Sequence, residues 1–185
     1  MPKIGGIVVI VLILLLILTG FGNYNSLVNL DEKAKSNWSQ VDNQLQRRAD
    51  LIPNLVETVK GYAAHEKEVF KQVSDARSKL AGARTVGERA AAEGELSSAL
   101  SRLLAIVENY PQLKADVNFR QLSDELTGTE NRIAVARMDY NQVVQAYNSA
   151  IRRFPTVIVA RMIGFEPKEY FQKEAGAARV PRVNF

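Results

Sequence analysis

The sequence predicts an all-α protein: an N-terminal single-pass transmembrane helix, then an antiparallel four-helix bundle with a short C-terminal extension. Three observations lead to this prediction. The chain starts with a long apolar run, its apolar residues then recur with helical spacing, and short breaks separate the periodic stretches. The predicted domains are an anchor over residues 1–23, a helical bundle over 24–154, and a short helix with an extended tail over 155–185.

The apolar run predicts a membrane anchor. No charged residue occurs between Lys3 and Asp31, and the stretch from 4 to 21 would be roughly 27 Å long as a helix. The hydrocarbon layer of a bilayer is about 30 Å thick, so this helix is long enough to span it. Phe21 and Tyr24 follow at the depth where aromatic side chains line the membrane interface.

The flanks of the run bear on its processing and its orientation. A cleaved signal peptide is the alternative to a retained anchor, because Gly20-Phe21-Gly22 has the small-x-small pattern of a cleavage site. Lys3 precedes the run, whereas Asp31 and Glu32 are the first charges after it. The positive-inside rule therefore predicts a cytoplasmic N-terminus and an extracytoplasmic body at a bacterial inner membrane.

Helical periodicity continues through four stretches: residues 34–45, 52–80, 96–107 and 119–151. Pro53 suits the first turn of a helix, so we expect the second helix to start there. Residues 82–87 form a predicted loop, and Thr85 with Glu88 matches a capping box that starts the third helix. We expect the third helix to end at Pro111.

The fourth helix is predicted to start at Asn118 and to stop at Phe154-Pro155. Its apolar stripe is the longest of the four. Gly61 and Gly128 are both predicted to lie inside helices, where each costs about 1 kcal/mol relative to Ala. The loops are short, so neighbouring helices should be antiparallel.

Composition excludes several classes of site. The chain has no cysteine, which removes disulfides, cysteine-based zinc sites and thiol nucleophiles. Its single histidine, His65, excludes any site that needs two imidazoles, and we expect it to face solvent on a helix. The net charge of +4 comes without a nucleic-acid-binding motif, so neither nucleic acid nor a cofactor is expected.

Several long motifs resemble those of a known family. They include Trp38-Ser39-Gln40-Val41-Asp42, Arg47-Arg48-Ala49-Asp50-Leu51-Ile52-Pro53-Asn54-Leu55, Thr129-Glu130-Asn131-Arg132-Ile133-Ala134, Tyr140-Asn141, Tyr147-Asn148 and Gly164-Phe165. In this order, over residues 24–185, they resemble the LemA family of bacterial membrane proteins. The resemblance implies one N-terminal span, an antiparallel four-helix body and no known catalytic residues. Some relatives resemble proteins that form or shape an intracellular membrane compartment, so the resemblance implies a function in membrane organisation.

Two sets of polar residues are candidates for one interaction network. They are Arg47, Arg48, Asp50, Asn54 and Glu57 in the first set, and Glu130, Arg137, Asn141 and Asn148 in the second. The members of the second set are 7, 4 and 7 residues apart, so they share one helix face. A ligand site is one interpretation. The alternative is a purely structural network, in which buried charges pair and fix the helix register.

A basic and apolar segment near the C-terminus is a candidate membrane-proximal surface. Its residues are Arg152, Arg153, Val157, Ile158, Arg161 and Met162. In an up-down-up-down bundle the fourth helix returns toward the membrane, where such a segment suits the interface. The alternative is that the segment caps the open end of the bundle.

Together these features predict a non-enzymatic, membrane-tethered scaffold. Its expected partners are membrane lipid, further copies of the same chain and other membrane proteins. An anchor confines weakly interacting molecules to two dimensions and so raises their effective concentration. The alternative is a sensory or ligand-binding helical module with the polar network as its pocket. An enzyme has little support, because no nucleophile–base pair or phosphate-binding loop is visible.

Overall fold

The computed structural model describes residues 20–172 in full and, over residues 2–19, the helical backbone alone. Its helices are α1 (Pro2–Lys60), α2 (Lys67–Gly82), α3 (Val86–Val107), α4 (Pro111–Ala115), α5 (Val117–Ala150) and α6 (Thr156–Ile163). All regular elements of this part of the chain are helices, which confirms the all-α prediction. The predicted extended tail, 175–185, lies outside the described residues.

The predicted membrane span belongs to the first part of α1. Across the described residues, no helix is both long and apolar enough to cross a membrane. Almost all of the predicted span, 4–21, falls in the stretch for which only the helical backbone is described.

The chain divides into two compact units. The first unit comprises Met1–Trp38 and Asp139–Glu169, and the second comprises Ser39–Met138 and Tyr170–Phe185. The core of the first unit contains four buried residues: Leu27 of α1, Tyr147 of α5, Ile151 directly after α5, and Ala160 of α6. Leu30, Ala150 and Phe165 pack against this core.

Side-chain pairs show how the helices of the second unit run. Gln72 and Lys79 of α2 pair with Arg102 and Glu95 of α3, so residues further along α2 meet residues earlier in α3. These two helices are therefore antiparallel, as expected from a connection of three residues, 83–85. The predicted capping box at the start of α3 is confirmed, because Thr85 and Glu88 exchange hydrogen bonds.

The prediction that a new helix starts at Pro53 is wrong, because Pro53 lies inside α1. A proline has no backbone N–H, so the carbonyl of Ala49, four residues earlier, loses its normal helical donor. Arg77 of α2 replaces that donor, since its Nε donates to the Ala49 carbonyl at 2.8 Å. A hydrogen bond from another helix thus satisfies the group that the proline leaves without its usual partner.

Other helix boundaries also differ from their predicted positions. Gly61 lies just after α1 rather than inside a helix, whereas Gly128 lies within α5 as predicted. α5 starts at Val117 instead of Asn118, because the carboxylate of Asp116 accepts a hydrogen bond from the Phe119 N–H at 2.9 Å and so caps the first turn. α3 stops at Val107, and Pro111 starts the short α4.

The pairing of Arg77 with the Ala49 carbonyl yields a prediction. We expect Arg77→Met to lower the free energy of unfolding by about 1–3 kcal/mol, because the Ala49 carbonyl is left without a donor. In a Pro53→Ala background the restored N–H of residue 53 supplies a donor, so the same change should cost less than about 1 kcal/mol. The measurement is urea unfolding of all four variants in detergent, followed by circular dichroism. Equal costs in both backgrounds would contradict the explanation.

Candidate functional site

A cluster of charged side chains lies inside the second unit. We call it the charge cluster and define it by Arg48 of α1, Glu93 and Ser97 of α3, and Glu130 and Arg137 of α5. Arg48 Nη1 lies 2.9 Å from Glu93 Oε1 and 2.5 Å from Glu130 Oε2. It also donates to Ser97 Oγ at 3.0 Å, and Ser97 in turn donates to Glu93 Oε1 at 2.9 Å.

The cluster is electrically balanced. Glu93 is fully buried and Arg48 is 6% exposed, so both are removed from bulk water. Arg137 lies with its Nη1 3.8 Å from Glu93 Oε2, and its guanidinium stacks 4.7 Å from the centre of the Phe171 ring. Two arginines therefore face two glutamates, and this mutual neutralisation is what allows charges to remain in a helical interior.

The chemistry available to the cluster is that of ion pairing. Arg48 and Arg137 are permanent cations, and the two glutamates oppose them at short range. Glu93 Oε2 and Glu130 Oε2 are close to a guanidinium but not aligned for a hydrogen bond. Within residues 20–172, no group of three or more metal-ligating side chains is placed to hold an ion.

The structure does not bring all the predicted polar residues into this cluster. Arg47 points to the surface and pairs with Glu125 at 2.9 Å. Asp50, Asn54 and Glu57 are all exposed. They make local contacts along α1: Asp50 accepts from Gln46, the Asn54 carbonyl accepts from Thr58, and Glu57 pairs with Lys60. Asn141 and Asn148 belong to the first unit.

Sequence analysis missed Glu93, the most buried member of the cluster. A signal was present, because Glu93 is 3 and 7 residues before Leu96 and Leu100 on the apolar stripe of α3. A carboxylate on the core side of a helix implies a buried cationic partner. His65 is exposed as predicted, but it lies in the turn between α1 and α2 rather than on a helix.

Asn148 fixes the chain that follows α6 within the first unit. Its Oδ1 accepts from the Lys168 backbone N–H, and its Nδ2 donates to the Lys168 carbonyl, both at 2.8 Å. The Lys168 ammonium lies 2.7 Å from Asp31 Oδ1 and 5.1 Å from the centre of the Tyr147 ring. The segment is thus held both by its main chain and by its charge.

Burial and two neighbouring lysines shift the pKa of Asp31 in opposite directions. Partial burial acts to raise the pKa of Asp31, but the ammonium groups of Lys168 and Lys35 outweigh it and hold the pKa below its ordinary value. Asp31 is therefore ionised over the neutral range, with both lysines within 2.8 Å.

The predicted membrane-proximal residues form an exposed surface on the first unit. We call it the α6 surface and define it by Arg152, Arg153, Phe154, Ile158, Arg161, Met162 and Ile163, all exposed. Val157 is half-buried, so it contributes less to this surface than predicted. Phe21 and Tyr24, predicted as interface aromatics, are 66% and 39% exposed.

Two features position α6. Thr156 Oγ1, at its start, lies 3.1 Å from Asn23 Oδ1 of α1. Gly164, at its end, adopts φ 85°, a left-handed conformation that glycine takes at little cost. The resulting turn directs Phe165 back to the core, where its ring lies 6.4 Å from the ring of Tyr24 and 6.3 Å from that of Tyr147.

The fold and the charge cluster define a class: all-helical proteins whose interior charges pair with one another across helices. Within that class the sequence profile of the LemA family matches residues 37–185. That is well over half of the chain, and the chain therefore belongs to the LemA family.

Individual relatives agree with this assignment. Magnetosome protein MamQ 2 of Paramagnetospirillum magneticum is 30% identical over 177 residues, covering 82% of this chain and 65% of the relative. Magnetosome protein MamQ of Magnetospirillum gryphiswaldense is 31% identical over 180 residues, covering 83% and 66%. Protein LemA of Metamycoplasma hominis is 26% identical over 165 residues, covering 88% and 73%. The chain thus spans slightly less than two thirds of the length of the MamQ relatives.

The charge cluster yields a stability prediction. We expect Arg48→Met to lower the free energy of unfolding by about 3–5 kcal/mol, because it leaves buried Glu93 without its nearest cation. The matched control is Lys71→Met, which breaks an exposed, solvent-screened pair with Asp75 and should cost much less than Arg48→Met. Urea unfolding compares the two. If they cost the same, the cluster is not the stabilising pairing described here.

Asp31 yields a pH prediction. Its pKa is lower in the folded than in the unfolded chain, so its stabilising contribution is complete above the unfolded value. That contribution is lost as the pH falls through the folded value. We expect Asp31→Asn to remove about 0.5–1 kcal/mol at pH 6 and progressively less below pH 4. Unfolding of the protein and of Asp31→Asn from pH 6 to pH 3 measures this. A pH-independent difference would contradict it.

Proposed function

We propose that this chain is a membrane-anchored, non-enzymatic scaffold that associates with copies of itself and with other membrane proteins. The anchor is the apolar run over residues 4–21, and the N-terminus lies on the cytoplasmic side of a bacterial inner membrane. The body carries the contact surfaces and takes part in organising the membrane on its outer side.

The observation that carries the proposal is an apolar patch on the exposed side of α5. Val135 is 55% exposed and Met138 is 54% exposed, and a spacing of three residues places them on the same face of the helix. Exposed large apolar side chains that group together are typical of protein interfaces. Met is also frequent in surfaces that adapt to several partners, because its side chain is flexible.

The anchor strengthens any such contact. Its sequence is long enough to span the hydrocarbon layer, and the backbone of α1 is helical from Pro2 onward. Confinement to a membrane raises the effective concentration of neighbouring copies, so a small patch can support association that would be weak in solution.

The relatives support the direction of this proposal. Two of them are named magnetosome proteins. Each is about 30% identical to this chain, and the match covers more than four fifths of this chain. We infer a comparable role in organising a membrane. That role is a proposal for this chain, which corresponds to only part of those relatives.

A ligand-binding module is the second candidate, and one observation favours it. An open groove of about 730 Å³ lies between α2 and α3, lined by small residues that include Ala90, Gly94 and Ser98. Ser97 belongs both to the lining of this groove and to the charge cluster. A small molecule bound in the groove would contact Ser97 and so alter the hydrogen bond between Ser97 and Glu93.

The scaffold proposal predicts a discrete assembly. We expect the full-length protein in native nanodiscs to show a mass of several copies, and Met138→Glu to shift it toward the monomer with at least tenfold weaker association. Ser74→Glu, which adds the same charge at an exposed site of α2, should leave the assembly unchanged. The measurement is mass photometry at several concentrations. A monomer at every concentration would overturn self-association and favour the ligand-binding module.

A further inference from the structure

We infer that the α6 surface is a second membrane contact, which inserts into the headgroup layer of an anionic bilayer beside the anchor. This inference rests on the anchor of the proposed function and adds a site for lipid to it. It does not depend on self-association through α5.

The first support is the distribution of exposed side chains around α6. Ile158 and Met162 are one turn apart and are 52% and 82% exposed, on the side of the helix opposite the buried Ala160. Phe154, just before the helix, is 81% exposed, and Ile163 is 53% exposed. Four large apolar side chains exposed within ten residues are unusual for a surface that faces only water.

The second support is charge. Arg152, Arg153 and Arg161 are exposed beside these apolar groups, and the sequence has no Asp or Glu between Tyr140 and Phe165. Arg152 donates from its Nε to the Asn148 carbonyl at 2.9 Å, whereas the guanidinium groups of Arg153 and Arg161 bind no carboxylate or carbonyl within residues 20–172. A cationic rim around an apolar face is the composition of helices that lie in the interface of anionic membranes.

The third support, which favours lipid over an acidic protein, is position within the first unit. Thr156, at the start of α6, is hydrogen-bonded to Asn23, and the ring of Phe165, just beyond the helix, lies 6.4 Å from the ring of Tyr24. Asn23 and Tyr24 lie two and three residues after Phe21, the last residue of the apolar run over 4–21. Where that run crosses a bilayer, α6 is held at the depth of the headgroups, with its exposed arginines among lipid phosphates.

The test uses the natural lack of cysteine in the full-length chain. Met162→Cys, labelled with an environment-sensitive fluorophore, reports on the α6 surface. Ser36→Cys is the matched control, because Ser36 is exposed on α1 about 20 Å along the helix from Asn23. Both proteins are placed in vesicles of phosphatidylcholine and phosphatidylglycerol in equal parts, or of phosphatidylcholine alone, with and without brominated acyl chains.

We expect the label at position 162 to be shielded from water and quenched by brominated lipid in the anionic vesicles, and the label at position 36 to stay in water. Arg153→Gln with Arg161→Gln should lower the ratio of inserted to uninserted label about thirtyfold, since each basic residue near an anionic surface contributes about fivefold. Lys33→Gln, an exposed charge further along α1, should leave that ratio unchanged.

The other outcomes separate this inference from the proposed anchor. A label at position 162 that stays in water while the protein floats with the vesicles overturns the lipid contact and leaves the anchor intact. A label shielded without quenching by brominated lipid shows that protein covers the surface, which also overturns the inference. Failure of the full-length protein to float with vesicles overturns both the anchor and the lipid contact.

Discussion

Two adjacent residues of α1, Arg48 and Ala49, are the point on which the helices of the second unit converge. Arg48 binds glutamates of α3 and α5 through its side chain, and Ala49 binds Arg77 of α2 through its carbonyl. Because an arginine stays charged inside a protein, α3 and α5 have to place carboxylates at this level of the bundle. One short stretch of α1 thus fixes the positions of three other helices along its axis.

The two contacts differ in what they require of the neighbouring helices. The cluster around Arg48 depends on charge balance, so the loss of one of its charges leaves the opposite charge in excess inside the helices. The bond from Arg77 depends on the proline four residues beyond Ala49, which frees the carbonyl. Pro53, although proline usually interrupts a helix, thus helps to fix the position at which α2 packs on α1. The exposed groups at the α6 surface have no comparable constraint within the described residues.

Periodicity predicted much of the fold because the helices are long and amphipathic. Val41 and Leu45 lie in the periodic stretch 34–45 and Ile133 in the stretch 119–151, and all three are fully buried. The boundary at Pro53 was predicted wrongly, because local rules do not include a donor from 24 residues further along the chain. The charge cluster was predicted only in part: Arg48, Glu130 and Arg137 were among the candidates, but Glu93 was not. For α6, nearly every residue is apolar, so periodicity could not show which side is exposed.

Asn148 holds the main chain at position 168 independently of the side chain that residue 168 carries. Both hydrogen bonds go to the main chain of Lys168, and every amino acid except proline offers the same N–H and carbonyl there. The Lys168 side chain itself contacts Asp31 and the ring of Tyr147, and both contacts depend on its positive charge. Substitutions at position 168 can therefore change the local electrostatics while the backbone keeps its course. Asn148 has no such freedom, because few side chains carry a donor and an acceptor at that spacing.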